Sequence, residues 1–417
     1  MDKFVIEGPN SLKGEVTVSG SKNASLPMMA AAILTTEDVI LHNVPDLKDI
    51  ATMCKLLVEL GCRCKREDKT IVINCSNLDS NKAPYELVKT MRASILVLGP
   101  LMARLHNAEV SLPGGCAIGV RPVNFHIDGL RALSADVKIE NGYIVSTAKK
   151  LKGGSIYFDI PSVTGTENLM MAATLADGET VMKNAAKEPE VVDLAKMLIM
   201  MGAKIDGIGD SIIRIDGVDK LSGVEYTVMN DRIEAGTLMV AALATSSEVT
   251  IKGMPIYAMD AIVDKFKEIG GKIEIIDKDV AVVGGKTIKP TIISTAVYPG
   301  FPTDMQAQFM AVLSLADGSS IIKETIFENR FMHAAELNRL GANIVISGNE
   351  AVVNGVDRFV GATVMATDLR ASASLVIAGL AAEGKTEVLR IYHLDRGYEK
   401  LEEKLSNLGA VIRREKE

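Results

Sequence analysis

The feature that most constrains the fold is a motif that occurs six times along the chain. In each copy a helical segment is followed by Gly, a small residue and a strand, as in LLVELGCRCK at 56–65 and MLIMMGAKID at 197–206. A weaker copy, GLRALSADVKI at 129–139, has serine at the glycine position. Successive spacings of 73, 68, 68, 71 and 68 residues separate the six positions, which are Gly61, Ser134, Gly202, Gly270, Gly341 and Gly409. A period this regular predicts six copies of one structural unit.

Each copy also contains an alanine-rich helix that leads into a short strand, as in LMMAATLADGETVMKNA at 169–185. Glycine or a polar turn ends the helix and β-branched residues begin the strand, so one unit is helix, strand, helix, strand, strand. Segments such as 167–176 and 373–382 are apolar nearly all round and are expected to be buried. The segment PEVVDLAKMLIMMG at 189–202 has one apolar stripe, as an outer helix does. The sequence therefore predicts an α/β protein with inner helices wrapped by sheets and outer helices, in two groups of three units.

Two segments interrupt the repeat and suggest the domain boundaries. They are VSGSKNASLP near residue 20 and EYTVMNDRIEAG near residue 230. We expect residues 22–229 to form one domain, and residues 1–21 with 230–417 to form the other, which the N-terminal strand 3–18 completes. Two chain crossings between domains would follow, and these suit a hinge.

Composition excludes several classes of function. A formal net charge of −7 argues against broad nucleic-acid binding, because a phosphate backbone is held mainly by clustered Lys and Arg. The N-terminal MDKFVIEGPN lacks the pattern of a secretion signal, and no stretch approaches the ~20 apolar residues of a membrane helix, so a cytoplasmic location is expected. No phosphate-loop or dinucleotide fingerprint occurs, so ATP or NAD use is not indicated. The oligomeric state stays open, with a monomer as the default.

The five cysteines argue against a disulfide framework, because their number is odd and the chain is long and without a signal. Cys62 and Cys64 alternate in GCRCKRE, so in a strand they would face the same side. Filling of a core or edge is favoured over a metal site, since no histidine cluster or second cysteine pair accompanies them.

Polar residues recur just before each predicted inner helix. Helix N-termini carry exposed N–H groups and a positive partial charge, so six that point inward would form an anion site. Each aspartate in this set also has a capping interpretation; Asp304 lies in PTDMQAQ, where Thr303 and Gln306 fit a capping box. Arginine at a helix start opposes the dipole and favours an anionic ligand. The recurring residues are Lys22 and Asn23, Arg92, Ser162 and Thr164, Asp231 and Arg232, Asp304, and Asp368 and Arg370.

Cys116 lies in the glycine-rich segment GGCAIG, which predicts a loop. A thiol on a loop near Arg121 would have its thiolate form favoured, so a proton donor or nucleophile is favoured over a filler role. His126 has a side chain suited to proton transfer, but a hydrogen-bonded structural role is favoured for it.

Six motifs together resemble the UDP-N-acetylglucosamine 1-carboxyvinyltransferases of the enolpyruvyl transferase superfamily over the full length. They are SGSKNASLP, GGCAIGVRP, PSVTGTENLMMAATLADGETVMKNAAKEPEVVDLA, YPGFPTDMQAQ, IFENRFMHAAEL and DLRASASLVIAGLAAEG. The resemblance implies two similar domains, each of three βαβαββ repeats around buried helices (an inside-out α/β barrel), and a substrate cleft between them. It implies no metal or organic cofactor.

The implied reaction transfers the enolpyruvyl group of phosphoenolpyruvate to the 3-hydroxyl of UDP-N-acetylglucosamine and releases phosphate, which opens peptidoglycan synthesis. It proceeds by addition and elimination through a tetrahedral intermediate. Cys116 is implied as proton donor, as carrier of a phosphoenolpyruvate adduct and as the target of fosfomycin, and Asp304 as the acceptor of the hydroxyl proton. These two roles suit a reaction that needs an acid and a base on opposite faces of the reacting centre.

The resemblance also implies binding roles for the remaining site residues. Lys22 with Asn23 would meet phosphoenolpyruvate, and Arg121 and Arg396 would hold its anionic groups. The other implied contacts are Arg92, Arg121, Pro122, Val123, Asn124 and Phe125 with the nucleotide sugar, Ser162, Val163 and Thr164 with the uridine diphosphate, Ile326 with the sugar, and Asp368 and Arg370 with the phosphate-side network.

Two positions depart from the family pattern. Asn124 stands where the family usually has aspartate, and Thr164-Gly165 where it often has Gly-Ala, so individual nucleotide contacts are open. Two alternatives also remain. The first is 5-enolpyruvylshikimate-3-phosphate synthase, which shares the fold but lacks the Cys116 loop. The second is a non-catalytic regulatory paralogue that binds the nucleotide sugar without turnover.

Overall fold

A computed structural model describes residues 2–112 and 123–416. The strands of this part of the chain are short. In chain order they are β1 Asp2–Gly8, β2 Lys13–Thr17, β3 Asp38–His42, β4 Arg63–Glu67, β5 Thr70–Asn74, β6 Lys82–Ala83, β7 Asn107–Ser111, β8 Asp136–Glu140, β9 Tyr143–Thr147, β10 Ser155–Tyr157, β11 Glu179–Lys183, β12 Lys204–Asp206, β13 Ile212–Asp216, β14 Val224–Thr227, β15 Glu248–Lys252, β16 Lys272–Asp277, β17 Val280–Gly284, β18 Ile292–Ser294, β19 Ser319–Lys323, β20 Asn343–Ser347, β21 Glu350–Asn354, β22 Thr363–Met365, β23 Gly384–Leu389 and β24 Ile412–Lys416.

The α-helices alternate with these strands. They are α1 Lys22–Ala31, α2 Lys48–Glu59, α3 Tyr85–Val88, α4 Leu98–Leu105, α5 Asn124–Ala132, α6 Val163–Ala173, α7 Pro189–Met200, α8 Arg232–Ala244, α9 Asp260–Glu268, α10 Gln306–Leu313, α11 Met332–Arg339, α12 Ala371–Ala381 and α13 Leu401–Asn407. Short 3-10 helices cover Ala32–Leu34, Arg92–Val97, Ile256–Ala258, Thr303–Met305 and Ile391–Arg396. None of the helices that the structure describes is long and apolar enough to cross a membrane.

The described strands form six four-stranded sheets with one topology. In each sheet the first two strands are parallel, and the second, third and fourth pair antiparallel. The strand orders are β14-β3-β5-β4, β6-β7-β9-β8, β10-β11-β13-β12, β2-β15-β17-β16, β18-β19-β21-β20 and β22-β23-β1-β24. The sixfold repeat read from the sequence is therefore a repeat of sheets, and the predicted fold class is confirmed.

The described residues group into two compact units, one with residues 2–19 and 230–416 and the other with residues 20–112 and 123–229. In the first unit β1 and β2 enter two different sheets, beside β23 and β15. In the second unit β14 is parallel to β3, so a strand from the end of the segment completes the first sheet.

Apolar helices occupy the centre of each unit. α8, α10 and α12 pack against one another in the first unit, while α6 contacts both α1 and α4 in the second. Every residue of α8 is buried, as is every residue of α10. By contrast α7 leaves Lys196, Ile199 and Met200 exposed and buries its opposite side. The predicted division into inner and outer helices therefore matches burial, because a helix without a polar face must be covered on all sides.

The repeated position, glycine in five copies and serine in one, ends each outer helix in a left-handed conformation. The φ angles at the six positions are 97° at Gly61, 68° at Ser134, 106° at Gly202, 100° at Gly270, 94° at Gly341 and 96° at Gly409. In every copy the next residue donates its N–H to the carbonyl five positions back; Cys62 N bonds Leu57 O at 2.9 Å and Ala203 N bonds Leu198 O at 2.9 Å. This is the Schellman motif, which satisfies carbonyls that the helix end would leave without partners.

The cysteines correct one sequence expectation. Cys62 and Cys75 form a disulfide with a Cα–Cα distance of 4.2 Å, although the odd cysteine count argued against disulfides. The cause is strand register: β4 and β5 pair with Arg63 opposite Asn74, which brings the residues just outside this pair face to face. Such a register depends on the antiparallel hairpin and cannot be read from the cysteine count.

Candidate functional site

The residues predicted from the recurring pattern lie at the N-terminal ends of the inner helices. Lys22 opens α1, Arg92 opens the 3-10 helix that leads into α4, Ser162 caps α6, Arg232 opens α8, Asp304 lies in the 3-10 helix before α10, and Asp368 precedes α12. Three of the six ends belong to each unit. Backbone N–H groups at a helix N-terminus have no partners within the helix and favour anionic groups. Each compact unit therefore has charged side chains at positions where an anionic ligand would also be favoured.

In the first unit, four of these charged residues form an aspartate–arginine cluster with Arg330; the four are Asp231, Asp304, Asp368 and Arg370. Arg370 Nη2 donates to Asp231 Oδ2 at 2.9 Å, and its Nε is 3.8 Å from Asp304 Oδ2. Arg330 Nη2 donates to Asp304 Oδ1 at 2.7 Å. Three helix starts are thus joined through side chains that the sequence separates by up to 139 residues.

Arg370 is held from several directions inside the unit. Its side chain is 3% exposed, its Nη1 donates to Gly397 O at 3.0 Å, and its guanidinium lies over the Tyr398 ring at 5.0 Å. Burial opposes the charge, yet Asp231 and the other nearby acidic groups raise the pKa of Arg370 above its ordinary value. The positive charge of Arg370 at this helix start is therefore balanced by acidic residues of the protein itself.

Asp304 does not belong to a capping box, so that alternative is wrong for this position. The Thr303 hydroxyl donates to Glu324 Oε2 and accepts from Arg330 Nη1, both at 2.8 Å, and the helix start has no side-chain cap. The Asp304 side chain is 28% exposed. A carboxylate held by arginines yet open to solvent can meet a ligand as well as stabilise the fold.

The other two aspartates do cap helices. Asp231 accepts from the N–H groups of Ile233 and Glu234, and Asp368 accepts from those of Arg370 and Ala371. Their capping interpretation is therefore correct, and for Asp231 it coexists with the ion pair to Arg370.

Sequence reasoning missed Arg330 and Glu324, which organise the surroundings of Asp304. Glu324 is 3% exposed and accepts from the hydroxyls of Thr295 and Thr303 and from the N–H groups of Ile326 and Phe327. It thereby positions the loop that carries Ile326. Arg330 lies within the resemblance motif IFENRFMHAAEL, but no local pattern marks its side chain as buried.

Arg396 lies in the same unit, in the 3-10 helix Ile391–Arg396. It is half-buried and directly precedes Gly397, whose carbonyl accepts from Arg370. The chain thus carries Arg396 close to the aspartate–arginine cluster.

In the second unit Lys22 pairs with a buried partner. Lys22 Nζ is 3.4 Å from Asp49 Oδ2, and the two side chains are 12% and 6% exposed. Ser21 caps α1 by accepting from Ala24 N, so Lys22 and Asn23 occupy its first turn. Asp49 lies in the first turn of α2 and was not predicted, since an acid there is ordinary helix chemistry.

The residues predicted on the nucleotide side lie at two neighbouring helix starts of this unit. Val123 precedes α5, and Asn124 and Phe125 are its first residues. The Phe125 ring packs edge-on against Phe158, with centroids 6.1 Å apart and planes at 61°. Ser162 caps α6 by accepting from Gly165 N at 3.1 Å, and Val163 and Thr164 begin that helix. The structure therefore brings together two groups of residues that lie about forty positions apart in the sequence.

His126 has the structural role favoured for it. Its ring is 3% exposed, and Nδ1 lies 2.8 Å from Asn168 Nδ2. Burial, and then the charge of Arg92, lowers the pKa of His126 to about 4. The imidazole is therefore neutral at pH 7 and accepts at Nδ1 from the amide. It ties α5 to α6.

Three predicted residues lie outside the described part of the chain: Cys116, Arg121 and Pro122.

Comparison with known proteins gives a family for this architecture. A family model described as EPSP synthase (3-phosphoshikimate 1-carboxyvinyltransferase) matches residues 6–405. The chain belongs to the EPSP synthase family. The family's chemistry is the transfer of an enolpyruvyl group, also called carboxyvinyl, with phosphoenolpyruvate as the donor, and this member is accordingly a transferase.

Solved structures agree with this membership. This EPSP synthase family member is similar to the enolpyruvyl transferase NikO from Streptomyces tendae, with 25% identity and a TM-score of 0.90 over 99% of this chain and 98% of that one. Two structures of EPSP synthase from Acinetobacter baumannii share its fold, each with 18% identity and a TM-score of 0.77. The first match covers 100% of both chains, and the second covers 99% of both chains.

Proposed function

We propose that the protein transfers the enolpyruvyl group of phosphoenolpyruvate to the 3-hydroxyl of UDP-N-acetylglucosamine, the first committed step of peptidoglycan synthesis. The observation that carries the choice of acceptor is the segment GGCAIGVRP at 114–122, which places a cysteine and an arginine in one glycine-rich stretch. The TM-score of 0.90 with the enolpyruvyl transferase NikO supports enolpyruvyl transfer as the class of reaction.

In this proposal Asp304 is the general base for the acceptor hydroxyl. Arg330 Nη2 donates to Oδ1 at 2.7 Å, and the Asp304 side chain is 28% exposed. We assign this carboxylate as the group that accepts the proton while the hydroxyl oxygen bonds to C2 of phosphoenolpyruvate. Proton transfer by a positioned carboxylate is an ordinary means of activating such a nucleophile.

Cys116 supplies the matching acid. Its thiol gives a proton to C3 of phosphoenolpyruvate, and the tetrahedral intermediate that results then loses phosphate from C2 and a proton from C3. Lys22, Arg121 and Arg396 hold the anionic carboxylate and phosphate, because several cations are needed as phosphate leaves. Asn23, Asp368 and Arg370 complete this side of the site.

The nucleotide sugar is assigned to the residues at the α5 and α6 starts. Ser162, Val163 and Thr164 offer the N-terminus of α6 to the diphosphate, an arrangement that favours phosphate groups. Arg92, Pro122, Val123, Asn124 and Phe125 are assigned to the sugar and uridine contacts, and Ile326 to the sugar. Asn124 is exposed at the first position of α5, so an aspartate could replace it without a packing conflict.

The test is phosphate release from phosphoenolpyruvate by the purified protein. Release is expected with UDP-N-acetylglucosamine and not with either substrate alone. Shikimate 3-phosphate in the same assay addresses the alternative acceptor that the family model's description favours. Equal or greater release with shikimate 3-phosphate would overturn the proposal, and no release with either acceptor would favour a non-catalytic paralogue.

The role of Cys116 has a separate test. Cys116→Asp is expected to retain turnover but resist inactivation by fosfomycin, because a carboxylic acid donates a proton but is not alkylated as a thiolate is. Wild-type protein should lose activity with time under the same treatment. Equal inactivation of both proteins would contradict Cys116 as the target.

A further inference from the structure

Two thiols outside the proposed site lie within reach of one another. Cys54 on α2 and Cys64 on β4 have Sγ atoms 2.7 Å apart, and Cys64 donates its thiol hydrogen to Cys54. A disulfide bond measures about 2.05 Å, so a small approach would join them. Neither residue belongs to the Cys62–Cys75 disulfide, and both are half-buried rather than sealed from solvent.

Packed elements hold the two sulfur atoms in place. α2 packs on β4 and buries Ile50, Met53, Leu56 and Leu57. Cys64 is opposite Ile73 in the β4–β5 pair, and the Cys62–Cys75 disulfide closes the same hairpin just beyond the strand end. The pair therefore meets through the fold and not through two mobile side chains on loops.

The surroundings favour reaction at Cys54. The hydrogen bond from Cys64 lowers the pKa of the Cys54 thiol against the opposing effect of burial, and the positive charge of Arg66 adds to the lowering. Arg66 is itself held by bonds to the carbonyls of Val44 and Pro45. A thiolate is the nucleophilic form of cysteine, and neighbouring cations are typical of reactive thiols.

A metal site is not favoured for this pair. Among the residues that the structure describes, no group of three or more His, Cys, Asp or Glu side chains is arranged to hold a metal ion. Two sulfurs alone give too few ligands for the four-coordinate sites that zinc prefers.

We infer that Cys54 and Cys64 form a redox-active dithiol that closes to a disulfide when the protein meets a small-molecule disulfide. The Cys54 thiolate attacks one sulfur of the oxidant and releases one thiol, which leaves a mixed disulfide. Cys64 then loses its proton and attacks Cys54 Sγ, and the second thiol leaves. Two protein thiols are oxidised and one small disulfide is reduced to two thiols, so atoms and electrons balance.

The sequence offers a direct readout, because trypsin places the four cysteines of this region on four peptides. These are residues 49–55 with Cys54, 56–63 with Cys62, 64–65 with Cys64, and 70–82 with Cys75. Protein treated with oxidised glutathione is blocked with N-ethylmaleimide, digested without reduction and analysed by mass spectrometry. We expect a linked pair 49–55 with 64–65, which dithiothreitol removes. The 56–63 with 70–82 pair serves as an internal reference for the disulfide already present.

Single-cysteine variants provide the matched control. In Cys54→Ser and in Cys64→Ser, the remaining cysteine cannot be resolved by its partner and should accumulate as a glutathione adduct. The inference is overturned if wild-type protein lacks the 49–55 with 64–65 pair, keeps glutathione on both cysteines, or instead links Cys64 to Cys62 or Cys75. This test does not depend on the proposed enzymatic function.

Discussion

Arg330 shows how a single side chain decides what its neighbours can do. Its guanidinium donates to both the Thr303 hydroxyl and Asp304 Oδ1, and only 6% of the side chain is exposed. Burial opposes its charge, but Asp304 and Asp368 raise the pKa of Arg330 above its ordinary value. The planar group thus positions the carboxylate that we assign as the base.

Arg330→Lys is expected to lower kcat at least about tenfold, equivalent to about 1.4 kcal/mol of lost transition-state stabilisation. Lysine keeps the charge but cannot make both contacts in the same plane, so Asp304 loses its orientation. Phosphate release measures the effect. Thermal unfolding of the variant shows whether the fold is retained.

Arg339→Lys is the matched control, since Arg339 ends α11 with its side chain 58% exposed. It should leave kcat unchanged. A wild-type kcat in a folded Arg330→Lys protein would show that Asp304 needs no support from Arg330.

At the scale of the element, the six Schellman motifs explain why glycine recurs with the repeat. A left-handed conformation costs a residue with a Cβ about 1–2 kcal/mol, and glycine avoids this cost. Ser134 adopts φ of 68° at the one position without glycine, and its N–H and that of Ala135 still make the helix-ending bonds. The second copy therefore keeps the geometry at a cost in stability.

Ser134→Gly is expected to raise the free energy of unfolding by about 0.5–1 kcal/mol, because part of the relieved strain is offset by the greater freedom of glycine in the unfolded chain. Gly202→Ala is the converse control, at the repeat position that follows Ser134 in the same compact unit. An added Cβ at Gly202 meets no atom within 4 Å, so only its backbone conformation is strained. Denaturant unfolding should move the two variants in opposite directions; a less stable Ser134→Gly protein would contradict the argument.

At the scale of the whole molecule, buried histidines link folding to pH. One lies in each unit, His126 and His333, and burial is the main cause that lowers the pKa of each to about 4. Below about pH 6.5 the unfolded chain takes up protons at these positions while the folded chain does not. The contribution of these neutral, buried histidines to the free energy of unfolding is therefore fully present above pH 6.5 and is lost as the pH falls toward 4.

As the pH falls from 6.5 to about 4, each histidine should lower the free energy of unfolding by about 3 kcal/mol, a value that follows from the size of its pKa shift. His126→Gln and His333→Gln are expected to show a shallower loss of stability between pH 6.5 and pH 4.5 than the wild type. Denaturant unfolding at several pH values measures this. Identical pH dependence in all three proteins would contradict the argument.

Glu167 provides a comparison of opposite sign. It is buried in α6, and burial followed by the charges of Glu190 and Glu188 raises its pKa well above the ordinary value. The contribution of protonated Glu167 to stability is then present at low pH and lost as the pH rises through the folded-state pKa. Glu167→Gln should remove that loss, so its gain in stability over the wild type grows toward alkaline pH.

Much of the fold could be predicted because its signals are local. Helix periodicity, the apolar inner segments and the helix-ending glycine each arise within one copy of the repeat. Sixfold repetition strengthened each of these signals. The polar position that recurs before each inner helix marked Lys22, Asp304 and Arg370 as candidate site residues, but their individual roles came only from the resemblance motifs. Glu324, Arg330 and Asp49 went unrecognised because nothing adjacent in the chain distinguishes a buried charged residue from an exposed one.

The sequence by itself determined the repeated unit, the helix ends and the division into inner and outer helices, because these follow from backbone conformation and short-range hydrophobic pattern. Only the tertiary structure decided which partners the charged and sulfur side chains have. Strand register joined Cys62 to Cys75, helix-on-sheet packing brought Cys54 to Cys64, and the meeting of three inner helices placed Asp231, Asp304 and Arg370 together. Such pairs depend on distances between atoms far apart in the chain, which are set when the elements pack.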